Sequence, residues 1–185
     1  METDHLIDEL RRTLDAQLVR LKALRELPLT TLERRPASKR WSVLEVCEHL
    51  NLLSGHYLRH LERAYARGGF IRVAQHRPGY WGGKLTRMMR PRADGSVPRP
   101  MSTLWIFEPR KAPTKRLEAL DECIAMVQRQ RDLLDRAERE GLEGPLITST
   151  LGPIFRFKAA DAFSFATAHQ ERHLLQIDRT LAALR

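Results

Sequence analysis

His169 and His173 stand four residues apart near the end of the chain, in the sequence HQERH, with no Pro or Gly between them. On an α-helix, residues i and i+4 lie on one face about 6 Å apart, so both imidazole rings can reach one metal ion. Such a pair alone is a weak signal, because most helical histidines lie in a core or at a surface without a metal. A further ligand from another part of the chain would turn the pair into a metal site.

A second group of histidines lies far upstream and comprises His49, His56 and His60. Offsets of seven and eleven residues return to within roughly 20° of the starting direction on an α-helix, so the three side chains share one stripe. About 10 Å of helical rise separates His49 from His56, so one ion cannot bind both. One level of this stripe can therefore face the His169 and His173 pair, and the spacing alone does not say which.

One histidine from the stripe and two from the pair would form a site of three imidazoles. Such a site leaves coordination positions open for water or substrate, as in catalytic rather than structural metal sites. Neutral imidazole suits Zn²⁺, Ni²⁺, Fe²⁺ or Co²⁺. The remaining histidines would then line a pocket, meet solvent or form hydrogen bonds within the core.

Long amphipathic helices must position these histidines, and apolar residues at helical spacing predict four of them. They cover Thr3 to Leu27, about Val43 to Arg67, Pro113 or Thr114 to Glu140, and about Lys158 to Ala183. The second helix follows a capping box formed by Ser42 and Glu45, and Trp41 before the cap can pack back onto it. We therefore expect an all-α protein, a four-helix bundle, in a single domain that spans residues 1–185.

The connections between these helices are rich in Pro and Gly. Phe70 to Ala112 predicts a long irregular crossover between helices two and three, with one short helix at Trp81 to Arg90. A loop through Gly144-Pro145 and Gly152-Pro153 is expected before helix four.

The net charge of +9 is concentrated in the crossover. Residues 67–116 carry twelve Lys and Arg against Asp94 and Glu108, an excess of +10, so the remainder of the chain is close to neutral. Such a segment can attract a nucleic acid, but a solvated loop explains it more simply, and nucleic acid is not the expected partner. Trp81, Trp105 and Phe107 lie among these cations; aromatic rings can stack on bases, but they more often anchor a loop by packing.

The composition argues against several classes of protein. The start of the chain lacks the apolar run of a signal peptide, and no segment has the roughly 20 apolar residues that a membrane span requires. Cys47 and Cys123 make no disulfide framework, and both lie in helical patterns where small buried side chains are expected. These features predict a cytoplasmic protein with no membrane contact.

Two motifs carry a resemblance to a known family. WSVLEVCEHL, from Trp41 to Leu50, is similar to the W-S-x-x-E-x-x-x-H-L opening of helix two in the DinB/YfiT-like superfamily. HQERHLLQI, from His169 to Ile177, is similar to the H-x-x-R-H-x-x-Q-I motif on the last helix of that family. Because the motifs have the right order and separation, the resemblance covers most of the chain.

The resemblance implies a four-helix bundle that holds a divalent metal ion, with zinc or nickel expected, through His49, His169 and His173. It thereby selects His49 from the upstream stripe. Relatives include transferases and isomerases that use low-molecular-weight thiols such as bacillithiol or mycothiol, and metal-dependent hydrolases. The long basic crossover is a departure from the compact members of the family.

Four further residues can contribute to the site. Glu45 precedes His49 by about one turn and can orient a ligand or act as a base, although the capping box explains it more simply. Arg172 can pair with an anionic group of the substrate or form a salt bridge within the bundle. Gln176 can hydrogen-bond a ligand or a neighbouring helix, and His56 can line the substrate pocket or be an ordinary hydrogen-bonded histidine.

We therefore expect a divalent-metal-dependent enzyme that acts on a small molecule, either as a thiol-dependent S-transferase or as a hydrolase. An open metal site can bring the pKa of a bound thiol or water toward neutrality and so generate the nucleophile for either reaction. The main alternative is a non-catalytic metal-binding bundle, such as a stress-response or binding protein. Bundles of this kind often dimerise through exposed apolar helix faces, so a homodimer is a further expectation.

Overall fold

The computed structural model describes residues 1–97, 103–109 and 117–185. Its α-helices are α1 (Thr3–Leu24), α2 (Leu29–Glu33), α3 (Val43–Arg67), α4 (Tyr80–Met89), α5 (Leu117–Glu140) and α6 (Ala159–Ala183). Of the four long helices, α1 and α3 each pack against both α5 and α6. This arrangement is a four-helix bundle, as the sequence predicts. The predicted start of the third long helix, at Pro113 or Thr114, lies outside the described residues.

The apolar stripes of the long helices meet in one core. Leu14 of α1, Leu50 and Leu61 of α3, and Leu120 and Leu134 of α5 are all completely buried within it. Full burial of one such side chain stabilises the fold by about 1.5–3 kcal/mol, so the core is the main force that holds the four helices in register.

The first helix is shorter than its apolar pattern predicts. It ends at Leu24 and not at Leu27, and the N–H groups of Arg25 and Glu26 bond carbonyls only three residues back, as in a tightening last turn. Pro28 then opens the short helix α2, which the sequence did not predict. Proline has no N–H to continue α1, but its fixed φ suits the start of a new helix.

The start and end of α3 agree with the sequence prediction. The Ser42 side chain accepts a hydrogen bond from the backbone N–H of Glu45, and the Glu45 carboxylate accepts one from the backbone N–H of Ser42. The helix ends at Arg67, and Gly68 follows with a φ of 77°, which a glycine adopts without strain.

The described part of the crossover is irregular except for α4 and one short 3-10 turn. Helix α4 matches the short helix predicted at Trp81 to Arg90, and it packs on α6. The 3-10 turn spans Trp105–Phe107 and contacts α3. This turn brings the crossover back over the histidine-bearing face of α3.

The loop predicted before the last helix is wrong for residues 147–157, which form a small antiparallel sheet. Strand β1 (Ile147–Ser149) pairs with β2 (Gly152–Phe157), with Ile147 opposite Phe157 and Thr148 opposite Arg156. Ile147 and Phe157 are buried, and β1 contacts α3. Burial of these side chains under the bundle stabilises strands that are too short to show a clear alternating pattern in the sequence.

None of the helices in the described part of the chain is both long enough and apolar enough to span a membrane.

Candidate metal centre

The structure brings His49, His169 and His173 together between α3 and α6. His49 lies in the second turn of α3, His169 near the middle of α6, and His173 one turn later on the same face. The ring centroid of His173 lies 4.5 Å from that of His49 and 4.5 Å from that of His169. One nitrogen from each ring lies within 4.8 Å of the other two, so the three residues can hold a metal ion.

Hydrogen bonds fix the orientation of two of these rings. Nδ1 of His49 lies 2.7 Å from the carbonyl oxygen of Phe107, and Nδ1 of His173 lies 2.8 Å from Oε1 of Gln176. Both oxygens are acceptors, so each Nδ1 carries the proton and each Nε2 keeps its lone pair. Metal-ligating histidines commonly have this arrangement, with the second ring nitrogen bonded to a carbonyl or carboxylate.

All three imidazoles are neutral at neutral pH. Burial lowers the pKa of His49, and the hydrogen bond to Phe107 opposes this only in part. Burial, and then the nearby His173 and His49 rings, lower the pKa of His169 well below its usual range. Burial, with the His49 ring as the next cause, lowers the pKa of His173 to about 3. A neutral imidazole is the form that binds a metal, so no proton has to leave before coordination.

The nitrogen positions suit a divalent ion. Nε2 of His49 and Nε2 of His169 lie 3.2 Å apart. Two imidazole nitrogens at about 2.0–2.1 Å from one ion, at tetrahedral or octahedral angles, lie roughly 2.8–3.4 Å apart. Without an ion the pair can share only one proton, while His173 brings a third ring nitrogen to within 4.8 Å of the other two. The donor set and its spacing therefore fit a cation better than they fit a purely internal hydrogen-bond network.

Glu45 has a structural role. Its carboxylate completes the capping box and also accepts hydrogen bonds from the guanidinium of Arg35. Burial raises the pKa of Glu45, but the hydrogen bonds from Arg35 and Ser42 outweigh it, so its pKa lies below the usual range. These hydrogen bonds occupy the carboxylate, in agreement with the simpler explanation of Glu45 as part of the capping box.

His56 and His60 lie apart from the three-histidine cluster. Their rings stack with centroids 4.1 Å apart, and Nε2 of His56 lies 3.1 Å from the carbonyl oxygen of Thr148 in β1. Nδ1 of His60 lies 2.8 Å from the carbonyl oxygen of His56. His56 is therefore a hydrogen-bonded histidine under the hairpin, and it does not line the cavity beside the cluster.

A cavity of about 820 Å³ opens beside His173. One wall is a face of α6 that includes Gln176 and Thr180, a second is the loop of residues 36–41, and a third is the crossover at Val97, Thr103 and Glu108. Its volume lies within the range of typical small-molecule sites, about 300–1,000 Å³. The histidine cluster therefore borders a space that can hold a ligand.

Two of the three substrate-pocket candidates, Arg172 and Gln176, line this cavity. Nη1 of Arg172 donates to the carbonyl oxygen of Met88 at the end of α4, at 3.3 Å. Burial lowers the pKa of Arg172 somewhat from its high usual value. Gln176 lines the cavity and also accepts the hydrogen bond from Nδ1 of His173.

Two residues of the site were not predicted to contact the histidines. Phe107 contributes through its backbone carbonyl, which no side-chain pattern reveals, while its own side chain is buried. Trp41 covers the cluster, with its ring centroid 5.0 Å from that of His49 and 6.4 Å from that of His173. Its place immediately before the cap of α3 was the available signal, since that position points the ring back along the helix.

The aromatic residues of the crossover differ in how far they are packed against the rest of the protein. The ring of Trp81 meets that of Phe155 edge to face at 5.5 Å, which pins α4 to the hairpin. Trp105 is 81% exposed, in contrast to its neighbour Phe107. Packing therefore explains Trp81 and Phe107 but not Trp105.

Comparison with protein families identifies a relationship over most of the chain. A family model described as the DinB superfamily matches residues 6–177. No curated protein and no solved structure gives a significant match to the chain. The matched region begins in α1 and ends in α6, and it includes all three clustered histidines. This chain belongs to the DinB superfamily.

Proposed function

We propose that this chain is a divalent-metal-dependent enzyme that acts on a small molecule, with the ion held by His49, His169 and His173. The observation that carries the proposal is a cluster of three neutral imidazoles, with ligand nitrogens within 4.8 Å of one another, one of which lines a cavity of about 820 Å³. Zinc and nickel are the proposed ions, because both bind neutral imidazole well.

A divalent ion bound at this site would bring the pKa of a coordinated thiol or water toward neutrality and so supply a nucleophile. A thiol would make the enzyme a thiol-dependent S-transferase, and water would make it a hydrolase. The residues of the chain perform the other tasks. Gln176 and the Phe107 carbonyl hold the ligand rings in place, Trp41 shields the cluster from solvent, and the cavity walls hold the small molecule near His173.

The non-catalytic alternative is a bundle whose ion only stabilises the fold. Structural zinc sites are usually closed by four protein ligands, whereas catalytic sites have three and an open position. In the described part of the chain the group that could hold an ion has three members, and His173 faces the cavity. This combination favours a site that receives an exchangeable ligand.

The first test is the metal content of the purified protein. We expect about one divalent ion per chain, and we expect His169→Ala to abolish its retention, because the remaining two imidazoles bind an ion far more weakly. His56→Ala is the matched control, since it removes an imidazole from the same bundle without touching the cluster, and it should keep the ion. A wild-type protein that is empty and also ignores added Zn²⁺ and Ni²⁺ would remove the basis of the proposal.

The second test separates enzyme from structural bundle. Metal-loaded protein is screened with low-molecular-weight thiols plus electrophiles, and separately with hydrolysable small molecules. Turnover that requires the added thiol supports an S-transferase, and turnover without it supports a hydrolase. If neither reaction occurs while loss of the ion only lowers the melting temperature, the non-catalytic alternative is correct.

A further inference from the structure

We infer that the cavity beside the three histidines binds an elongated small molecule with an anionic group, a carboxylate or a phosphate, at the end away from the histidines. The inference rests on the proposed function for one point only, namely that the other end of the molecule meets the ion. The anionic end is assigned from the charges and shape of the cavity itself.

The lining of the cavity is strongly cationic. Lys39 and Arg40 reach it from the loop before α3, and Arg179 reaches it from α6. Glu108 supplies the only carboxylate among the described residues that line it. Even without Arg172, whose guanidinium is hydrogen-bonded to the end of α4, cations outnumber carboxylates by three to one. A concave site with this excess attracts anions and disfavours cations.

One of these cations is displaced from the histidine cluster along α6. Arg179 lies six residues after His173 on α6, which corresponds to about 9 Å along the helix axis. Nη2 of Arg179 donates to the carbonyl oxygen of Gly95 at 2.8 Å, which ties the guanidinium to the crossover wall. This bond uses one of five N–H donors, and a guanidinium fork matches the geometry of a carboxylate or phosphate. The anionic group of the ligand therefore belongs several ångströms from its reactive end.

Between the two ends the cavity offers an apolar surface. The ring of Trp41 lines the cavity and lies against the rings of His49 and His173. Val97 lines it as well. A flexible aliphatic spacer can pack on these side chains while its two ends reach the histidines and Arg179.

The test uses two probes that differ in one charge. Zinc-loaded protein is titrated calorimetrically with 6-mercaptohexanoate and with 6-mercaptohexanol, which share a thiol and a six-carbon chain. We expect the carboxylate probe to bind at least fivefold more tightly at low salt. The difference should shrink as salt is added, because partly exposed charges are screened.

Three variants test whether the charged residues of the cavity cause the preference for the carboxylate probe. Arg179→Gln and Arg40→Gln should each weaken binding of the carboxylate probe about fivefold, the size expected for one partly exposed charge pair, and leave binding of the alcohol probe unchanged. Glu108→Gln should strengthen binding of the carboxylate probe. Arg63→Gln is the matched control, since this exposed residue of α3 lies about 21 Å along the helix from His49, and it should change neither probe.

The outcomes separate this inference from the proposed function. If the protein holds zinc but the two probes bind equally, or neither binds, the cavity is not an anion site and the inference is wrong, while the metal site stands. If the protein holds no metal, the proposed function is wrong. The same pair of probes is then compared on the metal-free protein, where the cations alone should still favour the carboxylate probe, and equal binding there also overturns the inference.

Discussion

At the residue scale, the hydrogen bond from His173 to Gln176 controls how well the site is preorganised. Oε1 of Gln176 accepts from Nδ1 of His173 at 2.8 Å and so directs the lone pair of Nε2 toward the cluster. Gln176→Leu has a similar volume but no acceptor. We expect it to weaken metal binding about 10- to 100-fold, the usual effect of losing such a partner. Competition with a chromophoric chelator measures the affinity.

Two further variants test whether a loss of metal affinity comes from the lost orientation of the His173 ring or from a general disturbance of the fold. Gln176→Glu keeps an acceptor oxygen and should bind the metal at least as tightly as the wild type. Gln128→Leu removes an exposed amide that bonds Asp132 on α5, and it should leave the affinity unchanged. Wild-type affinity in Gln176→Leu would show that the hydrogen bond does not orient the ligand.

The sequence could identify the three clustered histidines, because helical periodicity and the two motifs depend on side chains. It could also propose Gln176 and Arg172 as neighbours, since both follow the same helix. It could not identify the Phe107 carbonyl, because a backbone acceptor leaves no trace in residue type. It also could not exclude His56 from the cavity, since His56 and His49 share a helix stripe and only the hairpin determines what covers each level.

At the element scale, the contact of α4 with α6 depends on a missing side chain. A Cβ at Gly82 would lie 2.5 Å from both Cβ and Cγ of Asp161. Asp161 is buried, and its carboxylate accepts a hydrogen bond from the backbone N–H of Gly79 at 2.8 Å. Gly82→Ala must therefore push α4 away from α6, and we expect it to lower the free energy of unfolding by about 1–3 kcal/mol. Urea denaturation measures this change.

Gly83→Ala is the matched control in the same helix. A Cβ at Gly83 would meet Pro78 at 3.1 Å, which is tight, but alanine also favours the helix by up to about 1 kcal/mol. The two effects oppose each other, so this variant should change the stability by less than Gly82→Ala. Equal destabilisation by the two variants would mean that the close approach to Asp161 does not control the packing of α4.

The four long helices follow from amphipathic spacing and caps, which act locally. The hairpin does not, because it depends on contacts with distant helices, and the short helix α2 has too few residues to show a period. Phe157 and Ile147, for example, form a strand pair whose side chains are buried beneath the bundle. Short segments of this kind have too few residues for a period to be read, so tertiary burial determines their structure.

At the scale of the whole molecule, burial of the clustered histidines in the bundle makes the free energy of unfolding depend on pH. Burial lowers the pKa of His169 well below its usual range and the pKa of His173 to about 3. In the unfolded chain both histidines titrate near 6.5. Between these values the unfolded chain binds protons that the folded chain excludes. The free energy of unfolding of the metal-free protein is therefore largest above about pH 6.5 and falls as the pH decreases below it.

Urea denaturation of chelator-treated protein at pH 7.5 and pH 5.5 measures this dependence. Each of these two histidines should contribute a loss of roughly 1–2 kcal/mol over that interval, since a tenfold change in proton affinity between the folded and unfolded chains corresponds to about 1.4 kcal/mol. The variant His169→Gln/His173→Gln should lose correspondingly less stability across the same interval, because its cluster no longer excludes those protons. His5→Gln is the control: this exposed histidine of α1 lies outside the cluster, and its removal should leave the pH dependence as in the wild type. If the double variant showed the same dependence as the wild type, the buried imidazoles would not be the groups that couple folding to protons.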